Sequence, residues 1–222
     1  MRRLALLLAL ILLPLAALAN DAIAQPMKTM RRVAGKDDRG KYDITWVQLT
    51  ERFADAAVRA RVNADLEKEA LSHICRPTDG EYLDAWYEMK VTYLSSHVLG
   101  VTTAKFISCG FPNPLHGTWA LLYDLRTGER IEVETEVAER RAFRRFVDRR
   151  VLANQPRDMP DCTGVYKPPT SYIYILGQRT LDVSQDFPNV IQACGYTTEI
   201  PYADIVRFLR PGSALRTLAP GR

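Results

Sequence analysis

Apolar and polar positions alternate along much of this chain, and where the alternation stops a four-residue rhythm replaces it. Tyr42 to Leu49 carries aromatic and β-branched residues near alternation and reads as a first strand. From Thr50 the period lengthens: Val58, Val62, Leu66 and Ala70 recur every four residues, supported by Phe53 and Leu71. This stripe predicts a long amphipathic helix to about Ile74, with Thr50 as N-cap and Glu51 well placed for the helix dipole. After the turn cluster Arg76-Pro-Thr-Asp-Gly80 the alternation returns, and Tyr87, Met89, Val91 and Tyr93 share one face of a strand over 85–94. Ser95-Ser-His97 turns the chain, and strands follow at 98–107, 118–123 and 130–133. Consecutive strands with short links predict an antiparallel meander. Between the last two lies Asp124-Leu-Arg-Thr-Gly128, a tight turn in which Gly128 suits a positive φ.

A second helix is predicted from Thr135, its cap, with Ala142, Phe143, Phe146, Val147 and Val151 as the buried stripe. Glu136 and Glu139 near its start and Arg149-Arg150 near its end suit the dipole. Residues 154–170 form a proline-rich loop around Cys162. Strands at 171–176, 180–183 and 197–200 follow, and Pro201 opens a short helix, Tyr202 to Leu209, stopped by Pro211-Gly212. The predicted class is α+β: an antiparallel β-sheet packed with two main α-helices and a short C-terminal helix.

The first residues have another logic. Met1-Arg-Arg precedes an apolar run from Leu4 to Ala19, broken by Pro14, and the small-x-small sites Ala17-Leu-Ala19 and Ala22-Ile-Ala24. This is the layout of a secretory signal peptide over 1–24, cleaved after Ala24 or Ala19. The run is shorter than the ~20 residues of a spanning helix, so no membrane span is expected after cleavage. Residues 25–41, polar and basic, read as a flexible leader, and 42–218 as one domain. The expected location is periplasmic or secreted.

Removing 24 residues from the 222 leaves 198, enough for a real core. Arg2, Arg3 and Asp21 leave with the signal, taking 30 basic and 26 acidic residues to 28 and 25. A net charge of +3 does not predict nucleic-acid binding. The four cysteines, Cys75, Cys109, Cys162 and Cys194, all lie in the exported part and read as two disulfides, with three pairings open. Cys75–Cys109 and Cys162–Cys194 is the preferred pairing, since each ties neighbouring elements. The rival is a zinc site of His73, Cys75, Cys109 and His116, whose spacings match no compact finger.

The chain offers no Gly-x-Ser-x-Gly elbow, His-Glu-x-x-His helix or phosphate-cradling glycine loop. His116, among Pro114, Gly117 and Trp119, is the best acid/base or ligand candidate, although a loop histidine bonded to backbone is the simpler reading. Arg140, Arg141, Arg144 and Arg145 make either an anion-binding face or a solvated helix face. Phe111, Asn113, His116, Trp119 and these four arginines are the candidate binding residues. No catalytic residue, cofactor or metal is assigned.

Two stretches read together carry a family resemblance: the Tyr123-Asp124-Leu125-x-Thr127-Gly128 turn, and Cys194-Gly-Tyr-Thr-Thr-Glu-Ile-Pro201-Tyr202-Ala-Asp-Ile-Val. With the signal, strand and long helix in front, the chain resembles the RsiV-type family over roughly 42–212. That family includes ectodomains of lysozyme-sensing anti-sigma factors and a module of some peptidoglycan deacetylases. The resemblance implies an α+β sandwich of antiparallel sheet and helices, and partner sensing. Here a cleavable signal replaces the anti-sigma cytoplasmic part and spanning helix, and no chain is left for a deacetylase domain. A Gly-Gly-Ala-His-like segment is replaced by Cys109-Gly110-Phe111-Pro112, so no family contact is carried over.

The expected function is an exported, non-catalytic cell-envelope binding module that recognises a protein or an anionic envelope component. Binding would use loops near Phe111–His116 and 154–170, with the arginines as a polar rim. The alternative is a small peptidoglycan-directed hydrolase or a lysozyme-binding protein, and a purely structural role is a third reading. A +3 chain gains no electrostatic steering toward a basic lysozyme.

Overall fold

The computed structural model describes residues 27–37, 40–53, 55–74, 83–109, 114–156, 162, 171–186 and 194–219. Six strands form one sheet in chain order: β1 (Met27–Asp37), β2 (Gly40–Leu49), β3 (Leu83–Leu94), β4 (Val98–Cys109), β5 (Leu115–Asp124) and β6 (Glu129–Arg130). Helix α1 (Ala56–Leu71) connects β2 to β3, and α2 (Arg140–Ala153) follows β6. A second, three-stranded antiparallel sheet comprises β7 (Tyr172–Leu176), β8 (Thr180–Gln185) and β9 (Thr197–Pro201), and the short α3 (Tyr202–Ile205) follows.

The large sheet is the middle layer, because neighbouring residues of one strand enter opposite cores. Leu99, Val101, Leu121 and Tyr123 pack with Val62, Leu66 and Ala70 of α1, together with Ile44, Tyr87 and Met89. Val98 and Leu122 instead join Phe143, Phe146 and Val147 of α2 and Leu176, Leu181, Val183 and Ile200 of the small sheet. This is the period-two consequence of strand geometry. An α+β architecture was expected; its division into a large and a small sheet was not.

Four local expectations need correction. Residues 27–37, read as part of a flexible leader, are strand β1, antiparallel to β2 from Met27↔Leu49 to Ala34↔Tyr42. Composition misled there: long basic side chains suit an edge strand open to solvent, and Met27 and Met30 pack against the α1-side core. Second, the sheet is mixed, since β2 and β3 pair in parallel from Gly40↔Leu83 to Thr45↔Glu88. The helix between them is the crossover that a parallel pair requires.

Third, Thr50 is not the α1 cap. Its carbonyl accepts from the Phe53 amide (3.1 Å) in a turn, and Asp55 caps the helix, Oδ1 accepting from the Ala57 and Val58 amides at 2.8 and 3.3 Å. Asn63 then ties α1 to the end of β2, accepting from the Leu49 amide (2.7 Å) and donating to its carbonyl (3.0 Å). Fourth, Thr135 does not cap α2; its hydroxyl donates to the Glu132 carbonyl (2.8 Å) in a 3-10 turn over Val133–Thr135, and the helix starts after Glu139. The predicted strand at 130–133 is therefore cut to Glu129–Arg130.

The turn Asp124–Gly128 is as expected. Gly128 has φ 77°, and its amide donates to the Asp124 carbonyl at 2.7 Å.

Candidate functional site

The most exposed apolar side chains on β3 and β5 are Trp86 (41%), Leu115 (45%) and Trp119 (38%). On β5, Leu115 and Trp119 precede Tyr123 and Asp124, the two residues that pair with β6. Trp119 is nonetheless fixed. Its ring lies over Gly117, two residues back on the same face, so closely that a Cβ there would come within 2.1 Å of the indole. Lys105, paired with Gly117 across the ladder, places Nζ 3.9 Å from the centroid of the Trp119 ring. The result is a stack of ammonium, indole and glycine backbone that keeps a large aromatic surface accessible but ordered. Burial lowers the Lys105 pKa, against the pull of Glu69.

Two recesses meet at Trp119. The larger, an open groove of about 680 Å³, lies between the outer face of β3–β5 and the small sheet. Trp86, Lys105, His116, Ile173, Asp186 and Tyr196 are among its walls. The smaller, about 310 Å³, is lined by the consecutive residues Trp119–Leu122, by Arg130–Val133, and by Tyr172, Ile173 and Tyr174 of β7. A recess that touches side chains from both faces of one strand lies beside that strand's edge. Its floor is an ion-pair network in which Arg130 bonds Asp65 (2.5 Å) and Glu69 (2.9 Å). The Tyr123 hydroxyl donates to Asp65 (2.9 Å), and His73 lies 3.4 Å from Glu69. Hydrogen bonds from His73 and then Arg130 hold the Glu69 carboxyl down to about 2, against the opposite push of burial.

Of the candidate residues that are described, His116 and Trp119 line the same groove. His116 is on strand β5 rather than in a loop, its ring 4.9 Å from that of Phe106 and edge-on to it. Phe111, Asn113 and Cys75 lie outside the described residues, as does most of 154–170. Arg144 is not a free rim cation: it bonds Asp148 (3.1 Å) and Glu134 (3.4 Å) and stacks over Tyr172 at 4.3 Å. Arg140, Arg141 and Arg145 are exposed on α2 and line neither recess. Cys162 and Cys194 are joined, as preferred, and Cys109 is also disulfide-bonded. Among the described residues no group of three or more His, Cys, Asp or Glu could hold a metal ion, and no helix is long and apolar enough to cross a membrane.

Lys105, Trp86 and the β7–β8 wall were missed. Trp86 had a readable signal: in the alternation of 85–94 it falls on the face opposite Tyr87 and Met89. The wall comes from residues some seventy positions downstream, and no local pattern announces it.

Comparison with known proteins adds the fold. No family model matches the sequence, and no curated protein does. Solved structures do match. A DUF3298 family protein from Pseudomonas aeruginosa PAO1 superposes with a TM-score of 0.61 at 14% identity, over 89% of this chain and 99% of that one. A member of the same family from Bacteroides fragilis gives a TM-score of 0.66 at 10% identity, covering 86% and 96%. The chain has a DUF3298-like fold. At such identities the likeness carries architecture and no activity.

Proposed function

We propose that this chain is an exported binding module that recognises a protein or an anionic component of the cell envelope through the recesses around Trp119. The observation that carries this reading is the Lys105–Trp119–Gly117 stack. It holds an exposed aromatic surface in one orientation at the junction of two recesses, which lowers the entropy lost on binding. A partly desolvated lysine on the same ring lets the site accept an anionic group as well as an apolar one. The Cys162–Cys194 disulfide is compatible with an extracytoplasmic location. The RsiV-type kinship suggested by the Tyr123–Gly128 turn is part of the same proposal; the DUF3298 neighbours are compatible with it and name no ligand.

The test is capture from solubilised envelope extract and co-sedimentation with purified peptidoglycan, using the mature chain and two variants. Trp119→Ala removes the aromatic surface, and Gly117→Ala expels the ring from its seat by adding the Cβ that the indole excludes. Both should lower retention of the captured ligand by about tenfold or more, with little change in melting temperature, since Trp119 is outside both cores. An anionic polymer should also be released by salt. Retention unchanged in both variants would remove the site.

A further inference from the structure

The backbone of β5 has a direction that its side chains do not reveal. The Ile131 amide donates to the Leu122 carbonyl (2.8 Å), so even-numbered residues of β5 turn their amides and carbonyls away from β4. The Leu125 amide donates to His97 on the β4 side (2.7 Å), which sets odd-numbered residues the other way. Strand β6 pairs only with Tyr123 and Asp124 and then leaves. The amides and carbonyls of Thr118 and Ala120 consequently face outward, and no backbone partner meets them among the described residues.

We propose that this edge accepts an extended peptide segment of a partner protein as a seventh strand of the large sheet. The inference rests on the binding site proposed above and adds the backbone conformation of the partner. Strand addition gives affinity through main-chain hydrogen bonds and selectivity through alternate side chains. Three observations fit the edge to it. First, the 310 Å³ recess is lined by Ala120, ends at Ile131–Val133 and is walled by β7, and Thr118 lines the adjoining larger groove. That confinement suits one extended chain, whereas a second copy pairing edge to edge would bring its own β7 wall into the same space. Second, Leu115 to Leu122 contains no Lys, Arg, Asp, Glu or Pro, and the β4–β5 register runs unbroken from Ile107↔Leu115 to Val98↔Asp124. Edges that must stay unpaired carry such residues or a bulge. Third, the two faces of the recess differ. Alternate residues of an added strand would meet Tyr172, Ile173 and Tyr174 on one side, and Trp119 with the Arg130–Glu69 pair on the other. Arg130 is already neutralised by Asp65 and Glu69. The fitting segment has an apolar residue at every second position and uncharged residues between.

The probe is a phage-displayed library of random peptides about eight residues long, selected on the immobilised mature chain. The most enriched peptide is then synthesised unmodified and in two N-methylated forms, each blocking the amides of one alternating set. Strand addition predicts that one form binds about tenfold or more weakly while the other binds nearly as well as the unmodified peptide. It also predicts a comparable loss with Thr118→Pro, which removes an outward amide, and hydrogen-exchange protection of Thr118 and Ala120 on binding. Equal sensitivity to both N-methylated forms, or to neither, overturns the proposal, as does a library that enriches nothing. These peptide forms decide the matter even if Thr118→Pro fails to fold. A dimer of the mature chain that Thr118→Pro dissociates would assign the edge to a second copy and also overturn it. Loss of peptide with Trp119→Ala but not with N-methylation would leave the groove standing and remove strand addition alone.

Discussion

The large sheet has two edges, and they manage the same liability in different ways. Strand β1 carries exposed Lys28, Arg31 and Arg32, and its register with β2 shifts between Ala34 and Asp37. Arg31 is further drawn back onto the sheet by a bidentate bond to Asp43, with Nε to Oδ1 at 2.8 Å. Strand β5 has no charge between Leu115 and Leu122 and keeps a regular ladder, but lies beside a recess walled by β7. Charge and irregularity make an edge a poor template, whereas a flat neutral edge in a groove remains pairable by a slender partner. The difference separates an edge built to end the sheet from one left able to extend it.

The largest effect expected from this comparison comes from proline placed at adjacent positions of β5. The Trp119 amide points into the β4–β5 ladder, opposite Thr103, so Trp119→Pro removes a sheet hydrogen bond and leaves a partly buried carbonyl unpaired. The expected cost is about 1–3 kcal/mol, read from urea midpoints. Thr118→Pro, one residue earlier, deletes an amide that faces outward and should cost far less. Equal destabilisation by the two would mean that the outward edge of β5 is already engaged, and the contrast with β1 would collapse. A smaller effect is expected at the other edge. Replacing Lys28, Arg31 and Arg32 together by Thr removes the charges without adding apolar surface, and should raise the weight-average mass in sedimentation as concentration increases. No change relative to the unmodified chain would show that the register shift alone protects β1.

These edges also mark how far the sequence could be read. The strands of the core, the buried stripes of α1 and α2 and the Gly128 turn follow from periodicity and turn chemistry, which are local. Strand β1 was misread because the basic residues that discourage pairing at an edge are the ones that make a segment look unfolded. The parallel β2–β3 pair was missed because strand direction depends on the path of α1, not on any residue of either strand. His116 and Trp119 were among the candidate binding residues, but their setting depends on Lys105 from β4 and the walls of β7 and β8, which no local pattern shows. Arg144 shows the converse. In sequence it is one of four equivalent arginines, and only folding selects it to bond Asp148 and Glu134 and to cover Tyr172.

The smallest expected effect concerns how the β5 recess is closed at its inner end, where Arg130 begins the departure of β6 and is held against α1 by Glu69 and Asp65. The Glu69 carboxyl ordinarily titrates near 4.5 and is held at about 2 here, chiefly by hydrogen bonds from His73 and Arg130. Because the folded value is the lower one, the folded protein binds fewer protons at this group than the unfolded chain does over that interval. Its contribution to stability is therefore complete above about pH 4.5 and is lost as the pH falls toward about 2. Part of the side chain is solvent-exposed, so water and salt reduce the size of the effect without changing its sign. Glu69→Gln removes the titration, and its urea midpoint should fall less steeply with acid over that interval than that of the unmodified chain. Identical slopes would mean that Arg130 is kept in place by Asp65 alone. Opening of the pair in acid should also speed hydrogen exchange at the Ile131 amide, whose bond to Leu122 is the last backbone bond on that edge of β5 among the described residues. A weaker acid response of the same sign is expected along β1, where a hydrogen bond from Arg31 lowers the Asp43 carboxyl on the exposed surface of the sheet, open to screening by water and salt.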